Sequence, residues 1–316
     1  MPDDTPRAVC VFAPVTLLTV TIESGPDGEE ELHVHPGGQG VWVARMVRVL
    51  GGRPVLCTPV GGETGGVLEH LLAQEGIETR AVPVDRQTAA LIQDRRGGER
   101  EDLWMGRSPA LGRHALDELY SHVLADALEA GVCVITGTHL QEHVIPDDVF
   151  RRLAGDLRSA GARVIVDLSE GPLRAVLDAG VHLVKVSDAE LVSDGWAASD
   201  ARDDVVRGVE RLLAAGAEQV VVSRAAEGSL AATSDGRWLV EPPRLDAVDT
   251  RGAGDSMTAA LALATAEGSG WKEMLRVSAA AGTVNVTRHG SGSGRREAVL
   301  QLAERTTVTA LREPAA

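Results

Sequence analysis

The chain has 316 residues, 44% of them hydrophobic, and a formal net charge of −15. That length supports one large core, or one core with a small appendage, and the charge excludes a general nucleic-acid-binding surface. No run of 18 apolar residues occurs, so no membrane-spanning helix is expected.

The start of the chain carries Asp3 and Asp4 and no basic stretch, so no secretory leader is expected and a cytoplasmic location is. Cys10, Cys57 and Cys133 sit in apolar runs without metal-like spacing, which predicts buried free thiols in a reducing compartment. Residues 19–34 read as a polar hairpin turning at Gly25-Pro-Asp-Gly28. His33 and His35 alternate on it and are too sparse for a metal site. His35-Pro-Gly-Gly-Gln-Gly40 then opens an amphipathic helix running to Leu50. Gly61-Gly-Glu-Thr-Gly-Gly66 has the glycine count of a dinucleotide fingerprint but the wrong pattern, and reads as a turn near the substrate mouth. Residues 89–105 form a second polar, β-like segment turning at Arg96-Gly-Gly98. Together the two segments, within about 17–35 and 88–106, predict a small β lid on a single 316-residue domain. Its exposed edges are a liability unless paired, so a homodimer through the lid is expected.

From residue 132 onward, apolar runs of four to six residues alternate with helical patterns. Strands are predicted over 132–135, 163–167, 181–186 and 219–223, and helices over 147–159, 172–179 and 203–215. In the last helix Val205, Val206, Val209, Leu212 and Leu213 share one face. This rhythm predicts parallel β-α-β units, a sheet buried on both faces, and ligands at the strand C-termini.

The stretch Asp249-Thr-Arg-Gly-Ala-Gly-Asp255-Ser-Met257 opens an apolar helix over 256–266. Helix starts carry unpaired N–H groups and attract anions. Gly252 and Gly254 clear side chains from the path of a phosphate. An acid at position 255, beside such a site, is unfavourable unless it has a task. Phosphoryl transfer supplies one, with Asp255 taking the proton of an attacking hydroxyl. The structural alternative makes Asp255 a first-turn acid complementing the dipole, with the glycines serving only a tight turn. Only two of the 31 basic residues are lysines, Lys185 and Lys272. A lysine kept against that bias draws attention to Lys185. No Gly-x-x-x-x-Gly-Lys-Ser/Thr sequence is present, which excludes a P-loop.

Four elements now stand in order: His35–Gly40, Leu183-Val-Lys-Val-Ser-Asp-Ala-Glu-Leu191, Val222-Ser-Arg-Ala-Ala-Glu-Gly228, and the 249–257 motif. In this order and spacing the chain resembles the ribokinase (PfkB) family of sugar kinases over nearly its whole length. Gly252-Ala-Gly-Asp-Ser-Met257 and Thr287-Arg-His-Gly-Ser-Gly292 make it most similar to the branch of 1-phosphofructokinases and tagatose-6-phosphate kinases. The resemblance implies a three-layer α/β ribokinase-like fold with a mostly parallel central sheet, helices on both faces and a small β lid. It implies an ATP- and Mg²⁺-dependent transfer of the γ-phosphate to a hydroxyl of a sugar or sugar-phosphate-like acceptor, with no nucleic-acid or membrane partner. It implies Asp255 as catalytic base, Gly252, Ala253 and Gly254 as the anion hole, and Glu190 as the acid that organises Mg²⁺, largely through water. Lys185 would lie near the nucleotide phosphates. Ser223, Glu227 and Gly228 would border ATP, and Asn285 with the turn from Gly290 to Gly292 would close around the base. Gly37 and Gly38 would meet the sugar, in an acceptor region that also holds Gln39, Trp42 and Thr88. Structural alternatives exist for some of these: a first-turn helix acid for Glu190, a strand-end cation for Lys185, a turn residue for Glu227 and a core residue for Trp42.

The sugar half departs from the family pattern. Asn-Pro-x-x-Asp becomes Ala13-Pro-Val-Thr-Leu17, and Gly-Gly-Lys-Gly-x-Asn becomes Gly37-Gly-Gln-Gly-Val-Trp42. Thr-Arg becomes Thr88-Ala89, and Lys-Pro-Asn becomes Lys185-Val-Ser187. Such changes make the pocket more apolar and weaken recognition of a second phosphate. The expectation is a kinase whose acceptor is not the ordinary fructose 1-phosphate. The alternatives are a nucleoside or other small-molecule kinase of the same fold, and a nucleotide-binding protein with a lost acceptor site. The kept Asp255 argues against the last.

Overall fold

The computed structural model describes residues 5–98, 100–108, 110–138 and 144–311. The first strand, β1 (Ala8–Phe12), leads into two lid strands, β2 (Leu17–Ser24) and β3 (Glu30–Gly37). Then come α1 (Gln39–Val49), β4 (Arg53–Val60), α2 (Gly62–Gln74) and β5 (Glu78–Pro83). The lid is completed by β6 (Ala89–Asp94) and β7 (Glu101–Met105). The remaining parallel units are α3 (Arg113–Ala130), β8 (Val132–Thr136), α4 (Asp147–Ser159), β9 (Arg163–Asp167), α5 (Glu170–Ala179), β10 (Val181–Ser187), α6 (Asp188–Ser193), α7 (Arg202–Ala214) and β11 (Ala217–Ser223). The chain ends with β12 (Ser229–Thr233), β13 (Gly236–Glu241), α8 (Ala253–Glu267), α9 (Trp271–Val286), α10 (Arg296–Ala303) and β14 (Thr307–Leu311).

Among the described residues the main sheet has the order β14-β13-β12-β11-β10-β9-β8-β1-β4-β5. It is parallel from β5 through β11 and antiparallel from β11 to β14. Strand alternation splits its side chains between two cores. Cys10, Phe12, Ile135, Val166 and Val184 pack with α3, α4, α5 and α7. Val11, Val134, Ile165 and Leu183 pack with α1, α8, α9 and α10. Phe12 and Phe150 meet edge to face, with centroids 5.8 Å apart. Each such buried ring contributes about 1.5–3 kcal/mol by its burial. The three cysteines are free and buried, as expected.

The sequence expectations hold for the parallel units to within three residues at each end. Three differences matter. The antiparallel extension β12–β14 broke no apolar rhythm and was not expected. Gly61–Gly66 is not a turn, because α2 starts at Gly62 with Gly61 as its N-cap. Helix α8 starts at Ala253 rather than at Ser256, so Gly254 and Asp255 belong to its first turn. The lid sheet has the order β3-β2-β6-β7, with β2 and β6 parallel. No described helix is long and apolar enough to cross a membrane.

Candidate active site

Helix α8 aims its N-terminus at the C-terminal ends of the parallel strands, the end where open α/β sheets bind ligands. Its N-cap, Gly252, has φ 79° and ψ 2°, a left-handed conformation that favours glycine. A Cβ there would lie 2.6 Å from the Cβ of Ser291, so the motif and the 290–292 loop touch backbone to backbone. At Gly254 a Cβ would lie 2.3 Å from Lys185 Nζ. The lysine ammonium therefore rests directly against the first turn of α8.

Lys185 comes from β10 and is only 4% exposed. Its Nζ lies 3.3 Å from Oδ2 and 3.5 Å from Oδ1 of Asp167, the last residue of β9. Thr258 Oγ1 donates to the same Asp167 Oδ2 at 2.6 Å. Asp255 is 9% exposed. Burial, then the negative charge of Asp167, pushes its carboxyl up to about 8, against the pull of Lys185 and a backbone N–H. Burial also raises Asp167, opposed by Lys185, while Asp167, Glu190 and Asp255 hold Lys185 above its ordinary value. Three acidic side chains thus act on one buried ammonium, with Asp167 in direct contact. Such an arrangement of perturbed groups marks functional sites more often than structural ones.

Glu190 sits in the first turn of α6. Its Oε2 accepts the Ser187 N–H at 2.8 Å and the Ser187 hydroxyl at 2.7 Å, completing a capping box. That leaves Oε1 without a hydrogen bond among the described residues. Ser223 ends β11 on the neighbouring strand, and its Oγ donates to Val186 O at 3.5 Å. Glu227 lies in a short 3-10 turn, is 66% exposed at its side chain, and pairs with Arg224 at 2.5 Å. Gly228 closes that turn.

Asn285 is 1% exposed, and its amide stitches two loops together. Nδ2 donates to Arg251 O at 2.8 Å, and Oδ1 accepts the Gly292 N–H at 2.8 Å. It thereby fixes the motif against the turn from Gly290 to Gly292. Arg45 adds to this brace: Nη1 donates to Ser291 O at 2.7 Å, Nη2 to Pro36 O at 3.0 Å, and its Nε pairs with Glu75. Sequence reasoning missed Arg45, whose role comes wholly from tertiary contacts.

On the acceptor side, Gly37 ends β3 and Gly38 is the N-cap of α1. Gln39 bridges two strand ends: Nε2 donates to Asp167 O at 3.3 Å, and Oε1 accepts the Gly137 N–H at 2.9 Å. Trp42 is half-buried in α1, and its backbone abuts Gly292. Thr88 is buried in a separate group, where its Oγ1 accepts the Gly61 N–H at 3.0 Å. It shares a narrow cleft at the lid root with Pro14, Pro59, Val84 and Leu111. His33 and His35 stack on β3 of the lid.

The structure therefore brings Gly252, Ala253, Gly254, Asp255, Lys185 and Glu190 together, adds Asp167 to them, and sets Thr88 apart. Asp167 had a readable signal: it is an acid closing the apolar run of β9. A groove of about 880 Å³, holding Trp238, Trp271 and Lys272, opens at the opposite end of the sheet. None of the perturbed acids lines it.

Comparison with known proteins identifies the family and the fold. The pattern of the pfkB family carbohydrate kinases matches residues 15–298. The chain is 31% identical over 281 residues to ATP-dependent 6-phosphofructokinase isozyme 2 of Escherichia coli, covering 86% of this chain and 89% of that one. It is 30% identical over 268 residues to 1-phosphofructokinase of Xanthomonas campestris, covering 82% of each. The crystal structure of phosphofructokinase-2 from Escherichia coli in complex with potassium superposes with a TM-score of 0.85 at 27% identity, over 95% of this chain and 99% of that one. In sequence and in its ribokinase-like fold, the chain belongs to the pfkB family of carbohydrate kinases.

Proposed function

We propose that this carbohydrate kinase transfers the γ-phosphate of ATP to a hydroxyl of a sugar-derived acceptor, with Asp255 as the general base. The observation that carries this reading is the buried Asp255 carboxyl, pushed up to about 8, at the first turn of a helix that presents its N–H groups. A base of that strength matches the work of deprotonating a hydroxyl near neutral pH. The N–H groups from Gly252 to Gly254 stabilise charge on the transferring phosphoryl group. Lys185, held by Asp167 against Gly254, adds a fixed positive charge beside that path. Ser223, Glu227 and Gly228, with the turn braced by Asn285 through Gly290 and Gly292, would flank the nucleotide. Gly37, Gly38, Gln39, Trp42 and Thr88 would border the acceptor.

The residues present suit Mg²⁺. Glu190 keeps one oxygen free, and a cation arriving beside Asp167 and Asp255 would draw off the protons that burial holds on them. Glu190 and Asp167 would hold the ion, mostly through water, as Mg²⁺ prefers. Bound there, Mg²⁺ supplies charge neutralisation to the phosphates.

The acceptor is not the ordinary fructose 1-phosphate, because Leu17, Gln39, Trp42 and Ala89 stand where the family carries groups for a phosphorylated sugar. The chain acts as a single cytoplasmic catalytic unit and pairs with a second copy through the lid. Strand register supports the pairing: Val20, Ile22, Val34, Ile92, Leu32 and Trp104 share the outer lid face. Leu32 is 65% exposed and Trp104 55%. Coupled turnover across sugars, sugar phosphates and nucleosides tests the reading. Asp255→Asn should lower turnover by about 10²–10⁴-fold on whichever acceptor is used, with little change in ATP affinity. Near-normal turnover in that variant refutes the assignment.

A further inference from the structure

A cluster of cations lies where the lid meets the loop that leads to Gly252. Arg95 and Arg100 come from the β6–β7 connection of the lid, Arg251 directly precedes Gly252, and His289 lies in the loop after α9. Two carboxylates answer them, Asp249 at the centre and Glu23 at the side of Arg95. Arg100 Nη2 lies 2.6 Å from Asp249 Oδ2, and Arg95 Nη2 lies 3.8 Å from it. The other oxygen, Oδ1, accepts the Arg251 N–H at 3.0 Å. Arg95 also contacts His289 Nδ1 at 2.6 Å and Glu23 at 3.6 Å.

The charges do not balance. Arg95 and Arg100 are 14% and 18% exposed at their side chains, and Arg100 Nε is buried without a hydrogen-bond partner among the described residues. The Arg251 guanidinium makes no ion pair among the described residues. Burial, then the positive charge of Arg251, holds Arg100 below its ordinary value. Three half-buried guanidiniums thus meet two carboxylates in ion pairs, and the unmatched one costs free energy unless an anion arrives to meet it. In a chain of net charge −15 this surplus stands out, and it stands next to the proposed anion hole.

We propose that Arg95, Arg100 and Arg251 form a clamp that closes the lid onto a phosphate group of the bound reactants. Guanidinium forks suit phosphate oxygens, and placing two of them on the lid couples closure to ligand arrival. The clamp rests on the kinase reading only for the location of the reactants. The phosphate belongs either to the nucleotide's terminal group or to the acceptor itself. A phosphate on the acceptor would restore by other residues what Ala89 and Gln39 no longer supply.

Calorimetric titration with inorganic phosphate, ADP and ATP separates these sources. The proteins are the unaltered chain, Arg100→Gln, Arg251→Gln and, as a charge control, Arg113→Gln, whose side chain is 90% exposed on α3. Arg95→Gln replaces Arg100→Gln if that variant melts early. Each clamp variant should lose about tenfold in affinity, and the control should lose none. A loss for ATP but not ADP assigns the clamp to the terminal phosphate of the nucleotide. A loss for inorganic phosphate measured with ADP bound, with ATP unchanged, assigns it to an acceptor phosphate. Unchanged affinity for both phosphate and ATP in both variants overturns the clamp. None of these titrations needs turnover, so failure of the Asp255 assignment and failure of the clamp read out separately.

Discussion

Replacing Lys185 by Met tests the electrostatic frame of the site. The side chain keeps its length and loses only its charge. Lys185 Nζ and Asp167 Oδ2 are 3.3 Å apart, which corresponds to about 5 kcal/mol of attraction at an effective dielectric of about 20. The full figure is not lost, because Asp167 can escape by binding a proton. The expected penalty near pH 8 is about 3 kcal/mol, the lower end for a broken buried pair. The sign of its pH dependence follows from the raised carboxyls. Without Lys185, Asp167 and Asp255 hold their protons to still higher pH in the folded chain. A raised carboxyl contributes stability at low pH that is lost as pH rises through its folded value, so the penalty grows with pH. It should grow by up to about 1.4 kcal/mol per pH unit for one extra bound proton. Urea unfolding of both proteins at about pH 6 and about pH 8 measures it. Lys185→Met with Asp167→Asn should then be more stable than Lys185→Met alone, since the unpaired charge is gone. A penalty of equal size at both pH values, or no gain from the second substitution, refutes the frame.

Three further outcomes follow from the same structure. Because the base must be unprotonated, kcat/KM should rise with pH along a limb set by Asp255 near about 8, and a limb below about 5 would contradict the burial argument. The folded chain should likewise lose stability between about 3.8 and about 8 from this group, a dependence that Asp255→Asn removes. Sedimentation should show a dimer for the unaltered chain and a folded monomer for Leu32→Glu with Trp104→Glu, and a monomeric unaltered chain would exclude lid pairing.

Much of the fold was legible because its parallel strands are buried on both faces. Val181–Ser187 and Ala217–Ser223 read as continuous apolar runs, and the amphipathic stripe of α7 reads at helical period. The antiparallel edge was not legible. Strand β13 is half-buried over most of its length, and β14 is largely exposed, so neither presents a clean run. The start of α8 was misplaced because Ala253 and Gly254 carry no apolar signal. Gly252, Gly254 and Asp255 stood out as candidates from local chemistry, and the order of the other elements along the chain strengthened that reading. The clamp was not, since Arg95, Arg100, Arg251 and His289 come from three segments that only the lid brings together.

We propose that the altered acceptor region is rebuilt rather than decayed, because its replaced positions lie in register. Leu17 pairs with Gly37 on one side and Ala89 on the other, so three positions of the family's sugar site form one row across the lid root. Leu17 is 9% exposed and Ala89 3%. The family pattern sets an acid at the first and an arginine at the last. Losing one alone would strand a charge in a buried place, at a cost of about 3–5 kcal/mol. Both are gone, and Leu17 and Ala89 belong to the same buried apolar cluster as Val15 and Val144. Gln39, in place of lysine, is likewise bound at both ends, to Gly137 and to the Asp167 backbone. Drift in an abandoned site leaves unmatched polar groups behind, whereas here the replacements fit one another. With Asp255, Lys185 and Asp167 intact beside them, the coordinated change favours a working kinase refitted for a different acceptor.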